Sequence, residues 1–158
     1  MGSEDQAAAI GRLRATAREL VALTASVSGV ALAQVPGPGE WSAAAVMAHL
    51  ADTELMYSVR LRIVLTSERP YLVAFDEEAW TERFGGLDGD PKVALARWRP
   101  LREANVKLFE SLDEPEWARV GVHAERGPMT VGGIAALLVD HDRQHLDQIR
   151  RALAASLG

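Results

Sequence analysis

Residues 130–156 read TVGGIAALLVDHDRQHLDQIRRALAAS and carry the clearest structural pattern in the chain. Their inward positions recur at spacings of three and four residues, which predicts an amphipathic helix. This stripe consists of Ile134, Leu137, Leu138, His141, His145, Gln148, Ile149 and Ala152. Thr130 can cap the free amides at the start of the helix, and Met129 can pack on Ile134. The helix is expected to run to about Ser156 with this face turned toward other helices.

Three further helices are predicted upstream. The first runs from Asp5 to about Ser28, the second from the cap Ser42 to about Thr66, and the third from Asp90-Pro91 to about Leu112. Residues 67–90 form a long crossover with one short helix at about Glu77 to Arg83, and bundles use such crossovers where successive helices run parallel. No alternation is long enough to predict a strand. The fold class is therefore all-α, a four-helix bundle in one domain spanning residues 1–158.

Composition limits the chemistry that the chain can carry. None of the 158 residues is a cysteine, which excludes disulfides, thiolate metal sites and cysteine nucleophiles. A formal net charge of -5 argues against electrostatic binding to nucleic acid. No secretory signal and no apolar run long enough to span a membrane is present, so a cytoplasmic protein with no membrane partner is expected.

The histidines are the candidate metal ligands. His141 and His145 are four residues apart on one face of the fourth predicted helix, a spacing that lets a helix offer two nitrogens to one metal. His49 lies on the inward stripe of the second predicted helix, and three protein ligands plus an open position are typical of catalytic zinc. The alternative is that each imidazole simply satisfies itself in the core.

Neighbouring polar residues leave more than one interpretation open. Asp52 and Asp142 can each orient an imidazole, or can be solvated carboxylates. Glu54 and Arg143 are expected at the surface or an interface. His123 is expected in a loop, where it could supply a proton over the metal or have no role. The arginines at positions 97, 99 and 102 are interpreted as a solvated helix face.

Two segments resemble the DinB/YfiT superfamily. These are Trp41-Ser42 leading to His49-Leu50-Ala51-Asp52-Thr53-Glu54, and the segment HDRQHLDQI at residues 141–149. The resemblance implies an up-down-down-up bundle and a metal held by His49, His141 and His145. Members of that family include transferases that depend on bacillithiol, mycothiol or glutathione, metal-dependent hydrolases, and many proteins with no known activity.

Three neutral imidazoles leave the charge of a divalent ion uncompensated, so a bound water or thiol would ionise easily. Zinc and nickel both suit such ligands. The leading hypothesis is an S-transferase dependent on a metal and a low-molecular-weight thiol, acting on a small-molecule substrate. The alternatives are a metal-dependent hydrolase and a non-catalytic metal-binding stress protein. A homodimer is expected from the resemblance and from apolar residues assigned to outer faces, namely Leu32, Val59 and Leu146.

Overall fold

The computed structural model describes residues 2–85 and 90–157. The helices are α1 (Ser3–Thr24), α2 (Gly29–Ala33), α3 (Ala43–Thr66), α4 (Glu77–Phe84), α5 (Pro91–Ser111), α6 (Glu114–Trp117) and α7 (Val131–Leu157). The strands are β1 (Tyr71–Leu72), β2 (Val120–His123) and β3 (Gly127–Thr130). The crossover prediction extended over residues 86–89, which lie outside the described part. None of the helices in the described ranges is long and apolar enough to cross a membrane.

The four long helices α1, α3, α5 and α7 form the predicted bundle. One core cluster joins the end of α1, the beginnings of α3 and α5, and the end of α7, through residues such as Leu20, Val46, Trp98 and Ile149. The second cluster joins the opposite ends of the same helices. Helices α1 and α7 therefore run in one direction while α3 and α5 run in the other, which is the up-down-down-up order.

The predicted helix starts are confirmed by their capping hydrogen bonds. Ser42 Oγ accepts from the Ala45 amide at 3.1 Å, and Thr130 Oγ1 accepts from the Gly133 amide at 2.9 Å. Asp90 Oδ1 accepts from the Lys92 amide at 2.9 Å, with proline in the first helical position. Each cap satisfies one of the amides that a helix start leaves without an intrahelical partner. The short helix of the crossover is present as α4.

The first predicted helix is too long at its C-terminal end. Helix α1 ends at Thr24, and a separate short helix, α2, begins at Gly29. Ser28 caps α2, since its side chain accepts from the Ala31 amide. The apolar spacing that predicted the helix continues past Thr24, so no sign in the sequence pattern marks the end of the helix there. Leu32 of α2 is fully buried in the core, so its assignment to an outer face was wrong.

The prediction that the chain has no strand was also wrong. Strand β1 pairs in parallel with β2, and β2 pairs antiparallel with β3, in a small three-stranded sheet. Gly121 of β2 lies against α3 and β1, where an added Cβ would stand 2.7 Å from Leu72 Cδ1 and 2.8 Å from Val64 Cγ2. Strands of two to four residues are too short to produce a readable alternation, because cross-strand pairing defines them.

A buried ionic cluster, here called the arginine network, joins α3, α5 and α7. It consists of Arg102, Glu54, Asp142, Asn105 and Ser58. The Arg102 guanidinium donates to Glu54 at 2.7 and 3.1 Å and to Asp142 at 2.5 and 3.0 Å. Asn105 Nδ2 donates to Glu54 Oε1 at 2.7 Å and to Ser58 Oγ at 2.8 Å.

This network overturns three sequence interpretations. Arg102 is 2% exposed, so it does not belong to a solvated face. Glu54 and Asp142 are each 1% exposed, so the former is not a surface residue and the latter is not a solvated carboxylate. Buried charges persist only when paired and hydrogen-bonded, and each partner here comes from a different helix. A pattern confined to one helix cannot show such a partner.

Candidate metal centre

Three imidazoles converge where α3 and α7 face each other, and this group is here called the imidazole site. His49 comes from α3, and His141 and His145 from successive turns of α7. His49 Nε2 lies 2.9 Å from His141 Nε2 and 3.1 Å from His145 Nε2. Within the described residues, these histidines form the only group of three or more potential ligand atoms lying within 4.8 Å of one another. The structure thus brings together the three histidines that the sequence singled out as candidate ligands.

The spacing of the nitrogens fits a shared ion. A tetrahedral ion with bonds of 2.0–2.1 Å separates its nitrogen ligands by about 3.4 Å. The observed separations of 2.9 and 3.1 Å are a few tenths of an ångström shorter, a difference that small ring movements can absorb. The imidazole site therefore has the donor type, the number of donors and the spacing that a divalent transition metal requires.

Burial keeps these imidazoles neutral, as metal ligands must be. Desolvation and, to a smaller extent, the nearby His145 lower the pKa of His49 to about 4. Desolvation also lowers the pKa of His141 to about 2, assisted by its two histidine neighbours and by Arg102. The pKa of His145 is lowered as well, chiefly by burial. At neutral pH the three rings have lone pairs available.

A hydrogen bond to Gln148 fixes the tautomer of the His145 ring. His145 Nδ1 lies 2.8 Å from Gln148 Oε1, so the Nδ1 proton is donated to the amide oxygen and Nε2 is left with its lone pair. His141 Nδ1 is buried without a hydrogen-bond partner among the described residues. Gln148 was placed on the inward stripe by sequence, but its role was not predicted. The sequence signal for this contact was that Gln148 follows His145 by three residues, a spacing that places both side chains on one helix face.

Other side chains cover the imidazole site. The ring centres of Trp41 and His49 lie 5.2 Å apart, and Thr53 Oγ1 lies 3.5 Å from His49 Nε2. From the crossover, Glu77 Oε2 reaches to 4.0 Å from the same nitrogen. Sequence reasoning did not single out Glu77, because it lies far from the histidine motifs and was assigned only to a short helix.

A cleft of about 480 Å³ opens beside the imidazole site. His145, Gln148 and Trp41 contribute to its wall, together with the charged residues Arg151 and Glu78. A larger groove of about 550 Å³ lies between α1 and α5 and contains no histidine. The volume of a cavity therefore does not identify the candidate metal centre. The smaller cleft is the relevant one because His145, a candidate ligand, forms part of its wall.

The remaining candidates have other roles. Asp142 pairs with Arg102 in the arginine network, a role that neither of the two interpretations left open for it had named. Asp52 is buried and lies 3.4 Å from the Arg97 guanidinium, so it is not a solvated carboxylate. His123 ends β2 rather than lying in a loop, and its Nδ1 accepts from the Glu125 amide at 3.2 Å. It lies outside the imidazole site. Arg143 is exposed, as predicted.

Known proteins resemble this chain in both sequence and fold. A protein of Oceanobacillus iheyensis named "Putative metal-dependent hydrolase OB0413" is 29% identical over 76% of this chain and 69% of its own length. "Putative metal-dependent hydrolase YfiT" of Bacillus subtilis is 29% identical over 70% of this chain and 63% of its own length. This chain thus spans about two thirds of the length of these relatives.

The solved structure of Bacillus subtilis YfiT, described as a four-helix bundle of unusual topology, superposes with a TM-score of 0.88. The superposition covers 96% of this chain and 87% of that one, at 24% identity, and supports the fold. The family model described as "DinB superfamily" matches residues 12–149, which contain the imidazole site and the crossover. On this match the chain is a member of the DinB superfamily.

Proposed function

We propose that this protein binds one zinc or nickel ion through the Nε2 atoms of His49, His141 and His145. We further propose that the bound ion serves transfer of a low-molecular-weight thiol to an electrophilic small-molecule substrate. The observation that supports the proposal most directly is the convergence of three buried imidazoles, with His49 Nε2 2.9 Å from His141 Nε2 and 3.1 Å from His145 Nε2. A divalent ion at such a site supplies a Lewis acid that lowers the pKa of a coordinated thiol or water.

The chain's own residues contribute binding and orientation. Gln148 holds His145 in the tautomer that presents Nε2. Trp41 packs on His49 and shields it from water. In the adjoining cleft, Arg151 offers a cation for a carboxylate, while Glu78 and Glu40 offer anions for an ammonium group. Small thiols built from amino acids carry both kinds of charge, so the cleft suits them.

Hydrolysis is the second candidate function. It is favoured by the names of the relatives from Oceanobacillus iheyensis and Bacillus subtilis. The two proposals share the metal site and differ in the nucleophile, which is a thiolate in one case and hydroxide in the other. The third hypothesis, a metal-binding protein without catalysis, differs in predicting no reaction with either class of substrate.

Cobalt substitution distinguishes these functions. Bacillithiol, mycothiol and glutathione are titrated separately into the cobalt-loaded protein and into His49→Ala. The chain has no cysteine, so a thiolate-to-metal charge-transfer band can come only from the added thiol. A band that appears in the parent protein and is lost in His49→Ala supports the transferase proposal. No band, together with turnover of an ester and amide panel, supports the hydrolase, and silence in both assays supports a protein without catalysis.

The homodimer is also a proposal. Of the residues first assigned to outer faces, Leu32 and Leu146 are buried and only Val59 is exposed. Helix α3 nevertheless exposes three apolar side chains at spacings of four residues, namely Leu55, Val59 and Ile63. Such a stripe suits contact with a second copy. Light scattering at micromolar concentration tests this, and a monomer would contradict it.

A further inference from the structure

Glu77 is the carboxylate that approaches the imidazole site from the crossover. It is the first residue of α4, and its Oε2 lies 4.0 Å from His49 Nε2. The Glu77 side chain is 47% exposed, whereas that of His49 is 1% exposed. The carboxylate therefore stands at the solvent side of the buried imidazole site and has room to rotate.

The beginning of α4 is held in this place by contacts with the buried Arg60 and among neighbouring aromatic rings. Arg60 of α3 donates to the Val73 carbonyl at 2.5 Å, and its guanidinium lies 5.7 Å from the Phe75 ring centre. Phe75 in turn packs against Trp80 of α4, with ring centres 4.9 Å apart. Asp76 caps α4 by accepting from the Ala79 amide at 2.9 Å. The position of Glu77 thus follows from an anchored segment.

Glu77 is the carboxylate that lies within 4.0 Å of a histidine nitrogen of the imidazole site. Asp52 pairs with Arg97, and the acids of the arginine network share Arg102. In residues 2–85 and 90–157, the close contact of Glu77 is with the His49 ring rather than with a lysine or arginine. A divalent ion on three neutral imidazoles would carry two uncompensated charges beside a buried ring, and a carboxylate would offset one of them.

We propose that Glu77 supplies an oxygen ligand to the same ion, as a fourth protein ligand that a substrate can displace. This inference rests on the metal site proposed above. Zinc accepts carboxylate oxygen beside histidine nitrogen. An oxygen on the shared ion would lie about 3.4 Å from His49 Nε2, so the carboxylate must move inward by less than an ångström. Because its side chain is half-exposed, Glu77 can also swing out and release the position.

Metal affinity tests this role. Competition titrations with zinc and nickel are run on the parent protein, Glu77→Gln, Glu77→Ala and Glu82→Gln. Glu82 is exposed on the same helix, so Glu82→Gln removes the same charge without a contact to the imidazole site. Loss of groups that merely support a metal ligand weakens binding by about 10- to 100-fold, so both Glu77 variants should lose at least about 10-fold. Glu82→Gln should bind as the parent protein does.

Cobalt absorption gives an independent readout. Loss of a carboxylate ligand should change the visible bands in Glu77→Ala, and added acetate should restore them by occupying the vacated position. Unchanged affinity and bands in both Glu77 variants would overturn this inference while leaving the three-histidine site in place. A parent protein that binds no ion, or His141→Ala that binds as tightly as the parent, would overturn the metal site and this inference with it. Circular dichroism of each apo variant verifies that α4 and the bundle remain folded.

Discussion

The arginine network and the imidazole site are two buried polar clusters on neighbouring helices. They differ in whether their polar atoms find complementary hydrogen-bond partners within the cluster. In the arginine network, donors of Arg102 and Asn105 meet acceptors of Glu54, Asp142 and Ser58 at 2.5–3.1 Å. In the imidazole site, three nitrogens crowd together without a cation among the described residues. Adjacent residues of α7 even divide between the two clusters, since His141 belongs to one and Asp142 to the other.

The contrast separates a structural cluster from a binding site. A buried polar group must find a partner, and a cluster that supplies all partners internally fixes the packing of the helices. A cluster of like acceptors converging from two helices instead directs its lone pairs to one point, and the donor type and spacing suit a small cation. Experiments that remove one member should therefore destabilise the fold in the arginine network and weaken ligand binding in the imidazole site.

The largest expected effect is in the arginine network. Arg102→Ala leaves Glu54 and Asp142 buried without their cation, and breaking a buried ion pair in this way costs about 3–5 kcal/mol. Urea denaturation of the apo protein measures the free energy of unfolding. Arg99→Ala is the control, because Arg99 is exposed and its ion pair among the described residues is with Glu103 one turn away, where an effect of at most about 0.5 kcal/mol is expected. Equal losses in the two variants would remove the distinction between the clusters.

In the imidazole site the corresponding change is His141→Ala. Loss of one of three ligands should weaken metal binding by more than about 100-fold, beyond the effect of losing a supporting group. Metal analysis and competition titration measure this, and His145→Ala should behave in the same way. His123→Ala should retain full affinity, because His123 caps the β2–β3 turn. A metal-free His123→Ala protein would place a ligand outside the imidazole site.

His49 of the imidazole site and Asp142 of the arginine network should also respond to acid with opposite signs. The unfolded histidines titrate near 6.5 and the folded His49 near 4, so between these values the unfolded chain binds more protons and stability falls as pH falls. His49 alone should lower the free energy of unfolding by about 3 kcal/mol between pH 7 and pH 4. Burial raises the pKa of Asp142, so this carboxyl favours the folded state below its folded pKa and loses that contribution as pH rises.

Denaturation of the apo protein across this pH range measures the balance between the two responses. His49→Gln removes one of three titrating rings and should make the profile shallower above pH 4, while His141 and His145, whose pKa values are also lowered, keep the remaining slope. A profile that is identical with and without His49 would mean that the ring is solvated in the folded protein.

The smallest effect is expected at Gln148. Gln148→Ala removes the acceptor that fixes the His145 tautomer and should lower metal affinity by about 10-fold. Gln148→Glu should retain or raise the affinity, since a carboxylate accepts the same proton more strongly. Gln144→Ala changes an exposed glutamine on the same helix and serves as the control. If Gln144→Ala lost as much affinity, the effect would belong to the helix rather than to His145.

Much of the fold was readable from the sequence because its signals lie within single helices. The stripes predicted the four long helices, and Ser42, Asp90 and Thr130 marked three helix starts that the structure confirms. The imidazole site was readable as well, since His141 and His145 share a helix face and His49 faces inward.

What escaped prediction depends on partners that are distant in sequence. Glu54 and Arg102 look like ordinary surface charges until α3 and α5 pack side by side. Strand β1 exists only through pairing with a segment some fifty residues away, as Tyr71 with Val122. Glu77 reaches the imidazole site because a buried arginine holds the crossover, and no periodicity along the chain encodes that contact.

The distribution of the three histidines along the chain has a consequence for the order of folding. His49 is separated from His141 by 92 residues and from His145 by 96, so its ring meets the other two only after the polypeptide between them has been made and packed. Closing so long a loop has an entropic cost that a single ion in an unfolded chain must meet in full. An ion that needs all three rings therefore binds the finished bundle and stabilises it by mass action. It cannot act as the nucleus from which folding begins.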